Sequence, residues 1–282
     1  VNCPDGITAA WTAWRKHKNA TFIPVTHKEP YPEGLENKDV IIVDFCYPRE
    51  DLLKLKEITN SLKVLDHHIS AAEDCGDLDF CHFDMSKSGA GLAWEYFQSD
   101  YPVPPIVAAI QWRDLGGPWQ GTEPPFPSAN LFLTAVDSYD KTFEQWEEFY
   151  YLYSGQYTDA DRVELALKEM VQEGKAILRY KDQLIKIIMN NKQEVEIDGK
   201  KAMSVNTPFL QSETGSLLAQ EYGIGIAWYQ GAEHTKFSLR SVNTKPVDCA
   251  KIAQTFPGGG GHKMAAGFSW EGINVTELLE KK

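Results

Sequence analysis

The sequence predicts an α/β protein of two domains, and three features of its patterning lead to that fold class. Short apolar segments alternate with helical segments up to about residue 140, which is the pattern of a parallel sheet covered on both faces. A charged helical stretch follows, and a second, smaller α/β pattern begins after it. We therefore predict a first domain at 1–140, a helical connector at 141–194 and a second domain at 195–282.

The elements of the first domain are predicted from its apolar runs and their flanking residues. Nearly continuous apolar runs predict buried strands at 22–27, 40–46 and 63–68. Helical periodicity predicts helices at 7–17, 50–60, 88–97 and 104–112. The stretch 116–128 is rich in Gly and Pro, which predicts a loop.

The connector and the second domain are predicted in the same way. The pattern is helical and amphipathic from about 140, and 159–190 reads as one long helix or two. "EVEIDGKKAMSVN" predicts a hairpin with an Asp-Gly turn. After it come a helix, two strands and another helix, in "SETGSLLAQEY", "GIAWYQ", "KFSLRSV" and "DCAKIAQTF", followed by "PGGGGHKMAAGFSW".

Composition narrows the classes of function. The net charge is −12, which argues against a broad basic face that holds long duplex nucleic acid, but permits a small anionic substrate in a local pocket. No apolar run is long enough to span a bilayer, so we expect no membrane partner. The five cysteines lack zinc-like spacing and predict reduced thiols in a cytoplasmic protein. The oligomeric state is left open.

Acidic and imidazole side chains stand where the predicted strands and helices end. Asp44 comes just after the apolar run of the second strand, and Asp66, His67 and His68 come just after that of the third. Asp5 and Asp114 lie at helix ends. Groups at the carboxyl ends of parallel strands converge, and carboxylates with imidazoles suit Mn²⁺ or a similar divalent ion. Each Asp taken alone could be a turn or cap residue, and His67 a buried core histidine.

The second domain carries a candidate anion site. Glycines at 258–261 allow backbone N–H groups to approach an anion, and His262 adds a side-chain donor. Arg240 lies near the end of a predicted strand, where its planar fork can bind phosphate. A flexible turn and a solvated arginine are the alternatives.

These motifs together resemble the DHH phosphoesterases with a DHH-associated C-terminal domain, a family that includes RecJ-like and nanoRNase-like enzymes. The resemblance rests on "DHH" at 66–68, Asp-Gly at 5–6, Asp44 and Asp114, and it is strengthened by "SLRS" and "GGGGHKMAAGF" at 238–268. It covers nearly the whole chain in the same order.

The resemblance implies a role for each matching residue of the first domain. Asp44 would bridge two metal ions, and Asp5, His67 and Asp114 would hold one of them. Asp66 would orient His67. His68 would face the substrate phosphate.

In the second domain the resemblance implies contacts with the substrate's other phosphate or its sugar. The residues concerned are Arg240, Ser241, Gly259, Gly260, Gly261 and His262.

The chain departs from the family pattern at its first motif. That motif usually reads Asp-x-Asp, whereas here it reads Cys3-Pro4-Asp5. A thiolate is a softer ligand for Mn²⁺ than a carboxylate. We therefore expect Cys3 to face an altered metal site, or one that fills only with substrate.

The function expected from these residues is metal-dependent hydrolysis of phosphodiesters in short oligonucleotides or dinucleotides, as in an exonuclease-type hydrolase. One or two Mn²⁺ ions are the expected cofactor, with Mg²⁺ as an alternative. One rival hypothesis is a phosphomonoesterase or pyrophosphatase acting on nucleotide bisphosphates or short polyphosphate. Another is a non-catalytic nucleotide-binding module, which only the change at Cys3 favours.

Overall fold

A computed structural model of the chain describes residues 3–26, 29–117, 121–154, 159–231, 234–242, 247–257, 259–271 and 280–281, with the backbone alone at His262, Glu280 and Lys281. The chain divides into two compact units, Val1–Ile177 and Leu178–Lys282. A parallel sheet lies in the first unit and a separate mixed sheet in the second, which confirms the predicted α/β class.

The sheet of the first unit contains β1 (Asp39–Val43), β2 (Ser61–Asp66) and β3 (Cys81–Phe83), in that spatial order and all parallel. Helices α2 (Arg49–Ile58) and α3 (Ile69–Cys75) connect the strands.

The strand predicted at 22–27 is wrong, because the described part of it, 22–26, has no regular structure. Pro24 lacks the N–H that a central strand must donate, and Phe22 instead packs edge-on against Phe143.

Alternating residues of β2 face two different layers of side chains. Val64 packs with Leu52, Leu55 and Cys75, which belong to α2 and α3. Leu65 packs with side chains of α1 (Pro4–Lys16) and α4 (Gly89–Gln98), the helices on the opposite face. Because both faces of the strand are covered, the consecutive residues Val64 and Leu65 are both apolar before the chain reaches Asp66.

The largest core of the first unit is helical. It is formed by α1 and α4 together with α5 (Pro105–Asp114), α6 (Ala129–Val136) and α7 (Phe143–Tyr153). Trp11 of α1 stacks on Trp94 of α4, with ring centroids 5.9 Å apart. Helix α7 buries aromatic side chains in this core, although the sequence placed it in the connector. The predicted domain limits at 140 and 194 remain predictions.

The long helix α8 (Ala160–Met189) runs across the division between the units. The sheet that follows is built from seven strands in the order β10-β4-β5-β6-β7-β9-β8. The strands are β4 (Gln193–Ile197), β5 (Lys200–Asn206), β6 (Ile224–Gln230), β7 (His234–Ser241), β8 (Gly260–His262), β9 (Ala265–Glu271) and β10 (Glu280–Lys281). The predicted hairpin is present, and Asp198 and Gly199 at its turn both have positive φ angles.

Two helices pack on this sheet. Leu218 of α9 (Gln211–Tyr222) contacts Ala227 on one face of β6, while Ile252 of α10 (Cys249–Gln254) shares a core with Ile226 on the other. Each helix of the described chain is too short or too polar to cross a lipid bilayer.

Candidate functional site

Parallel pairing brings the polar ends of β1 and β2 together. Val43 lies opposite Leu65 in the sheet, and the backbone N–H of Asp44 donates to the carbonyl of Leu65 over 2.9 Å. Asp44 has a φ of 54°, a left-handed conformation that Asp adopts more readily than most residues. The extended conformation of β1 therefore ends at Asp44, and its side chain lies beside His67, which follows Asp66.

Asp5 reaches the same edge of the sheet from α1. Its carboxylate is almost fully buried and accepts hydrogen bonds from the backbone N–H groups of Gly89 and Ala90, over 2.6 and 3.0 Å. These two groups lie at the N-terminus of α4, where orphan donors and the helix dipole both favour a negative charge. The contact fixes α1 against α4 and holds Asp5 in one orientation.

The carboxylates of Asp44, Asp114 and Asp5 converge on one nitrogen atom. The Nε2 atom of His67 lies 3.3 Å from Asp44 Oδ1, 3.5 Å from Asp114 Oδ2 and 3.7 Å from Asp5 Oδ2. The structure therefore brings together four of the predicted metal ligands, which come from α1, α5 and the ends of β1 and β2.

The proton affinities of this cluster reflect its crowding. Burial opposes a charge on His67, but the hydrogen bond to Asp44 and the nearby carboxylates outweigh it and raise the pKa of His67 to about 9. Burial, with the charge of Asp5, raises the pKa of Asp114 to about 6, and burial also raises the pKa of Asp44. A protonated His67 thus supplies the positive charge that these carboxylates require, as a bound cation would.

Asp66 contacts a different ring from the one predicted. Its Oδ1 atom lies 2.7 Å from Nδ1 of His68 and accepts the backbone N–H of His67 over 2.8 Å. The prediction that Asp66 orients the His67 ring is therefore corrected to His68. The hydrogen bond to Asp66 raises the pKa of His68, and the half-exposed His68 ring is held ready to donate to an anion.

The donor set fits a hard divalent ion. Asp44, Asp66, His67 and His68 can each offer a ligand atom within 4.8 Å of the others, and so can Asp5, His67 and Asp114. Asp66 Oδ2 is buried and has no hydrogen-bond partner among the described residues, a costly state for a carboxylate. Carboxylate oxygens with imidazole nitrogens suit Mn²⁺ or Mg²⁺ better than a soft ion.

Two glycines shape this cluster, Gly6 of the Asp-Gly motif and Gly89, which the sequence analysis did not identify. A Cβ atom on Gly89 would lie 2.4 Å from Asp44 Cβ, and one on Gly6 would lie 3.0 Å from Asp44 Oδ2. Only glycine lets α4 approach Asp44 this closely. For Gly89 the available signal was its pairing with Gly91 at the start of the helix predicted at 88–97, since glycine is unfavourable in helices.

Cys3 borders the cluster without belonging to either ligand group. It is exposed, precedes α1 as its N-cap residue, and lies 3.9 Å from Asp44 Oδ2 through its Sγ atom. Desolvation of the sulfur by the protein around it, with the nearby charges of Asp44 and Asp5, raises the pKa of its thiol, so that a proton must be removed at greater cost before the sulfur can coordinate an ion.

We predict that Cys3→Asp tightens Mn²⁺ binding by roughly tenfold, because it adds a hard, charged ligand beside Asp44. Without metal the same change should lower thermal stability, since it adds a carboxylate to a cluster that already has several. Calorimetric titration with Mn²⁺ and thermal unfolding with and without Mn²⁺ test both effects. Cys3→Ser is the uncharged control, and equal Mn²⁺ affinity in all three proteins would make Cys3 a packing residue.

Arg240 of the second unit is held by several contacts on one face of β7. Its Nη1 atom donates to Ser238 Oγ and to the Leu239 carbonyl, and its Nη2 atom donates to Ser212 Oγ at 2.7 Å. A Cβ on Gly215 of α9 would lie 3.1 Å from Arg240 Cγ, so this helix also leaves room for the arginine. Burial lowers the pKa of Arg240, and an anionic ligand would compensate for that burial. The sequence analysis did not identify Ser212.

The other predicted substrate residues differ in their surroundings. Ser241 is buried, and its hydroxyl donates to the Val247 carbonyl over 2.7 Å. This hydrogen bond ties the end of β7 to the segment that precedes α10. A Cβ on Gly259 would lie 1.8 Å from the Ala253 carbonyl oxygen, and Gly261 has a φ of 136°. Gly260 has open space where a side chain would start. The side chain of His262 and all of Gly258 lie outside the described residues, so their predicted contacts remain predictions.

Comparison with known proteins identifies the fold. No family model matches the chain. A protein of Acanthamoeba polyphaga mimivirus, "Uncharacterized protein R106", is 28% identical over 306 residues, which cover 99% of this chain and 68% of that protein.

Two solved structures resemble the whole chain. The pGpG-specific phosphodiesterase PggH of Vibrio cholerae is 14% identical with a TM-score of 0.52, covering 95% of this chain and 90% of its own. The exonuclease RecJ bound to manganese is 17% identical with a TM-score of 0.50, covering 96% and 84%. The chain has the fold of these DHH-family phosphoesterases, as the sequence predicted.

Proposed function

We propose that this chain, with its DHH phosphoesterase fold, is a metal-dependent phosphodiesterase that hydrolyses short oligonucleotides or dinucleotides. The observation that carries the proposal is the convergence of three carboxylates on Nε2 of His67, at 3.3 to 3.7 Å. Asp5, Asp44, His67 and Asp114 would hold Mn²⁺ or Mg²⁺. A divalent ion there would supply Lewis acidity toward a phosphoryl oxygen and toward an attacking water.

Side chains and backbone groups of the protein would bind the phosphoryl group and hold the metal ligands in position. The hydrogen bond to Asp66 fixes the His68 ring and raises its pKa, which favours the protonated imidazole. In that form Nδ1–H would donate to Asp66 and Nε2–H would donate to a phosphoryl oxygen as negative charge develops. The N-terminus of α4 holds Asp5 in place before substrate arrives, so little reorganisation accompanies the reaction.

The charge and the relatives support a small substrate. A net charge of −12 disfavours long nucleic acid held along an extended surface. Two proteins that resemble this chain in fold are named as a phosphodiesterase specific for the dinucleotide pGpG and as an exonuclease. A dinucleotide or short oligonucleotide is therefore the substrate class that we propose for this chain.

A screen of defined substrates with Mn²⁺ or Mg²⁺ tests the proposal. We expect metal-dependent cleavage of dinucleotides and short oligonucleotides to mononucleotides. Hydrolysis of nucleotide bisphosphates or pyrophosphate alone would replace the proposal with a phosphomonoesterase or pyrophosphatase. Nucleotide binding without turnover of any substrate would indicate a non-catalytic module.

We predict that Arg240→Ala costs roughly 2–5 kcal/mol in kcat/KM for a dinucleotide, the range for removing one partner of a buried charged hydrogen bond. Arg240→Lys should recover part of this loss, because it keeps the charge but not the fork. Steady-state kinetics measure both.

The matched control is Lys236→Ala, which removes an exposed cation from the same face of the same strand. Equal kcat/KM in the Arg240 and Lys236 variants would exclude Arg240 from substrate binding. Thermal unfolding of the Arg240 variants would separate a loss of fold from a loss of binding.

A further inference from the structure

A pocket of about 210 Å³ opens beside the proposed metal ligands of the first unit. Asp5 and Asp114 line it together with Arg113, a residue that the proposed reaction has not yet used. The lining residues are Cys3, Pro4, Asp5, Ile110, Arg113 and Asp114.

Arg113 is fixed in position by an ion pair. Its Nη1 and Nη2 atoms donate to the two carboxylate oxygens of Asp137 over 2.9 and 3.0 Å. Arg113 lies in the last turn of α5, and Asp137 directly follows α6. This pairing uses one N–H of each Nη atom, and a guanidinium has five N–H donors in all. Arg113 can therefore bind a second anion without giving up Asp137.

The charges on the pocket walls suit an anion once the carboxylates are neutralised. Asp5 and Asp114 would repel a phosphate on their own, but a divalent ion bound to them removes that repulsion. Cys3 stands where the family motif has a carboxylate, and a thiol adds no formal charge at neutral pH. Cys3 therefore adds no negative charge that would repel an anion from this pocket.

We propose that Arg113 binds a phosphate oxygen of the substrate in this pocket, as a residue that contacts substrate beside the metal ligands. The inference rests on the proposed function, because the anion can enter only when a cation neutralises Asp5 and Asp114. Asp137 is the positioning residue, since its two carboxylate oxygens hold the Nη atoms and fix the guanidinium in place. The three N–H donors that Asp137 leaves, on Nε and on the two Nη atoms, can still donate to phosphate oxygens, which the planar guanidinium suits.

Calorimetric titration of the Mg²⁺-loaded protein with inorganic phosphate tests the inference. We expect Arg113→Gln to weaken phosphate binding by about 10- to 100-fold, the equivalent of losing hydrogen bonds to a charged group. Arg113→Lys should fall between Arg113→Gln and the wild type. Asp137→Asn keeps the positive charge of Arg113 but weakens the ion pair that fixes its position. We expect it to lower phosphate affinity less than Arg113→Gln does.

Arg49→Gln is the matched control. Arg49 also forms a bidentate ion pair in the first unit, with Asp77. It is not among the pocket's lining residues. Its loss should leave phosphate binding unchanged. Thermal unfolding of each variant verifies that the fold is retained.

Separate measurements distinguish failure of this inference from failure of the proposed function. Wild-type protein that binds Mg²⁺ and phosphate and cleaves a dinucleotide upholds the function, and equal phosphate affinity in Arg113→Gln would then overturn the inference alone. Wild-type protein that binds neither Mg²⁺ nor phosphate, and cleaves nothing, would overturn both. Weaker phosphate binding in Arg113→Gln, with Mg²⁺ affinity unchanged, supports the inference.

Discussion

Asp44→Asn is expected to lower the turnover of a dinucleotide by about a thousandfold or more, because metal ions contribute several kcal/mol to such reactions and each 1.4 kcal/mol is tenfold. Asp44 contributes the carboxylate oxygen nearest to His67 Nε2, at 3.3 Å. An amide has the same shape but lacks the charge that attracts a divalent ion. Mn²⁺ affinity should fall with the turnover.

The choice of Asn separates loss of function from loss of fold. Asp44 has a φ of 54°, and Asn tolerates this conformation whereas Ala is strained in it. Removing one of several crowded carboxylates should also leave the metal-free protein at least as stable as the wild type. Asp44→Ala should likewise remove activity without unfolding the protein, but with a lower unfolding temperature than Asp44→Asn.

The control for Asp44 is Asp39→Asn. Asp39 lies at the opposite end of β1, where its carboxylate accepts hydrogen bonds from Asn60 and Ser61. It should lose some stability but no Mn²⁺ affinity and little turnover. Near-normal turnover in a folded Asp44→Asn protein would contradict the proposed metal centre.

The approximate place of the candidate site could be predicted from strand ends. In a parallel sheet, the carboxyl ends of neighbouring strands meet, and the pairing of Val43 with Leu65 makes Asp44 and Asp66 neighbours. The apolar residues of β1 and β2 carry this information, because they place the two strands side by side in a sheet and so bring the carboxylates that follow them together.

The choice of ring at Asp66 could not be predicted from sequence. His67 and His68 are adjacent, and either could reach a carboxylate one or two residues earlier. The outcome depends on backbone direction after β2, where His67 turns toward Asp44, Asp5 and Asp114 while His68 stays beside Asp66. Two of the carboxylates beside His67 come from α1 and α5, which are distant from it in sequence.

The sequence predicted where helices form better than it predicted which core each helix joins. Helices α7 and α8 were expected from their periodicity, but which core they join depends on aromatic contacts such as those of Trp146 and Phe149 with the rest of the first unit. Trp146 donates its indole N–H to Thr8 Oγ1 over 2.7 Å. Because these two residues are far apart in sequence, no local sequence pattern predicts their contact.

Gly89→Ala is expected to weaken Mn²⁺ binding by about 10- to 100-fold, as the loss of groups that position metal ligands does. The added Cβ would lie 2.4 Å from Asp44 Cβ and Oδ1. Because the backbone N–H of Gly89 also donates to Asp5, any shift of α4 that relieves the clash displaces a second carboxylate. Overpacking should cost about 1–3 kcal/mol of stability as well.

Gly91→Ala is the matched control, because it adds the same methyl group to the same helix. Its Cβ would meet the side-chain amide of Gln111, and the end of a flexible side chain can rotate away, whereas Asp44 Cβ is fixed to its backbone. Gly91→Ala should therefore bind Mn²⁺ much as the wild type does. Calorimetric titration of the two variants with Mn²⁺ gives the comparison, and unchanged affinity in Gly89→Ala would show that the close approach of α4 to Asp44 is not required for the metal centre.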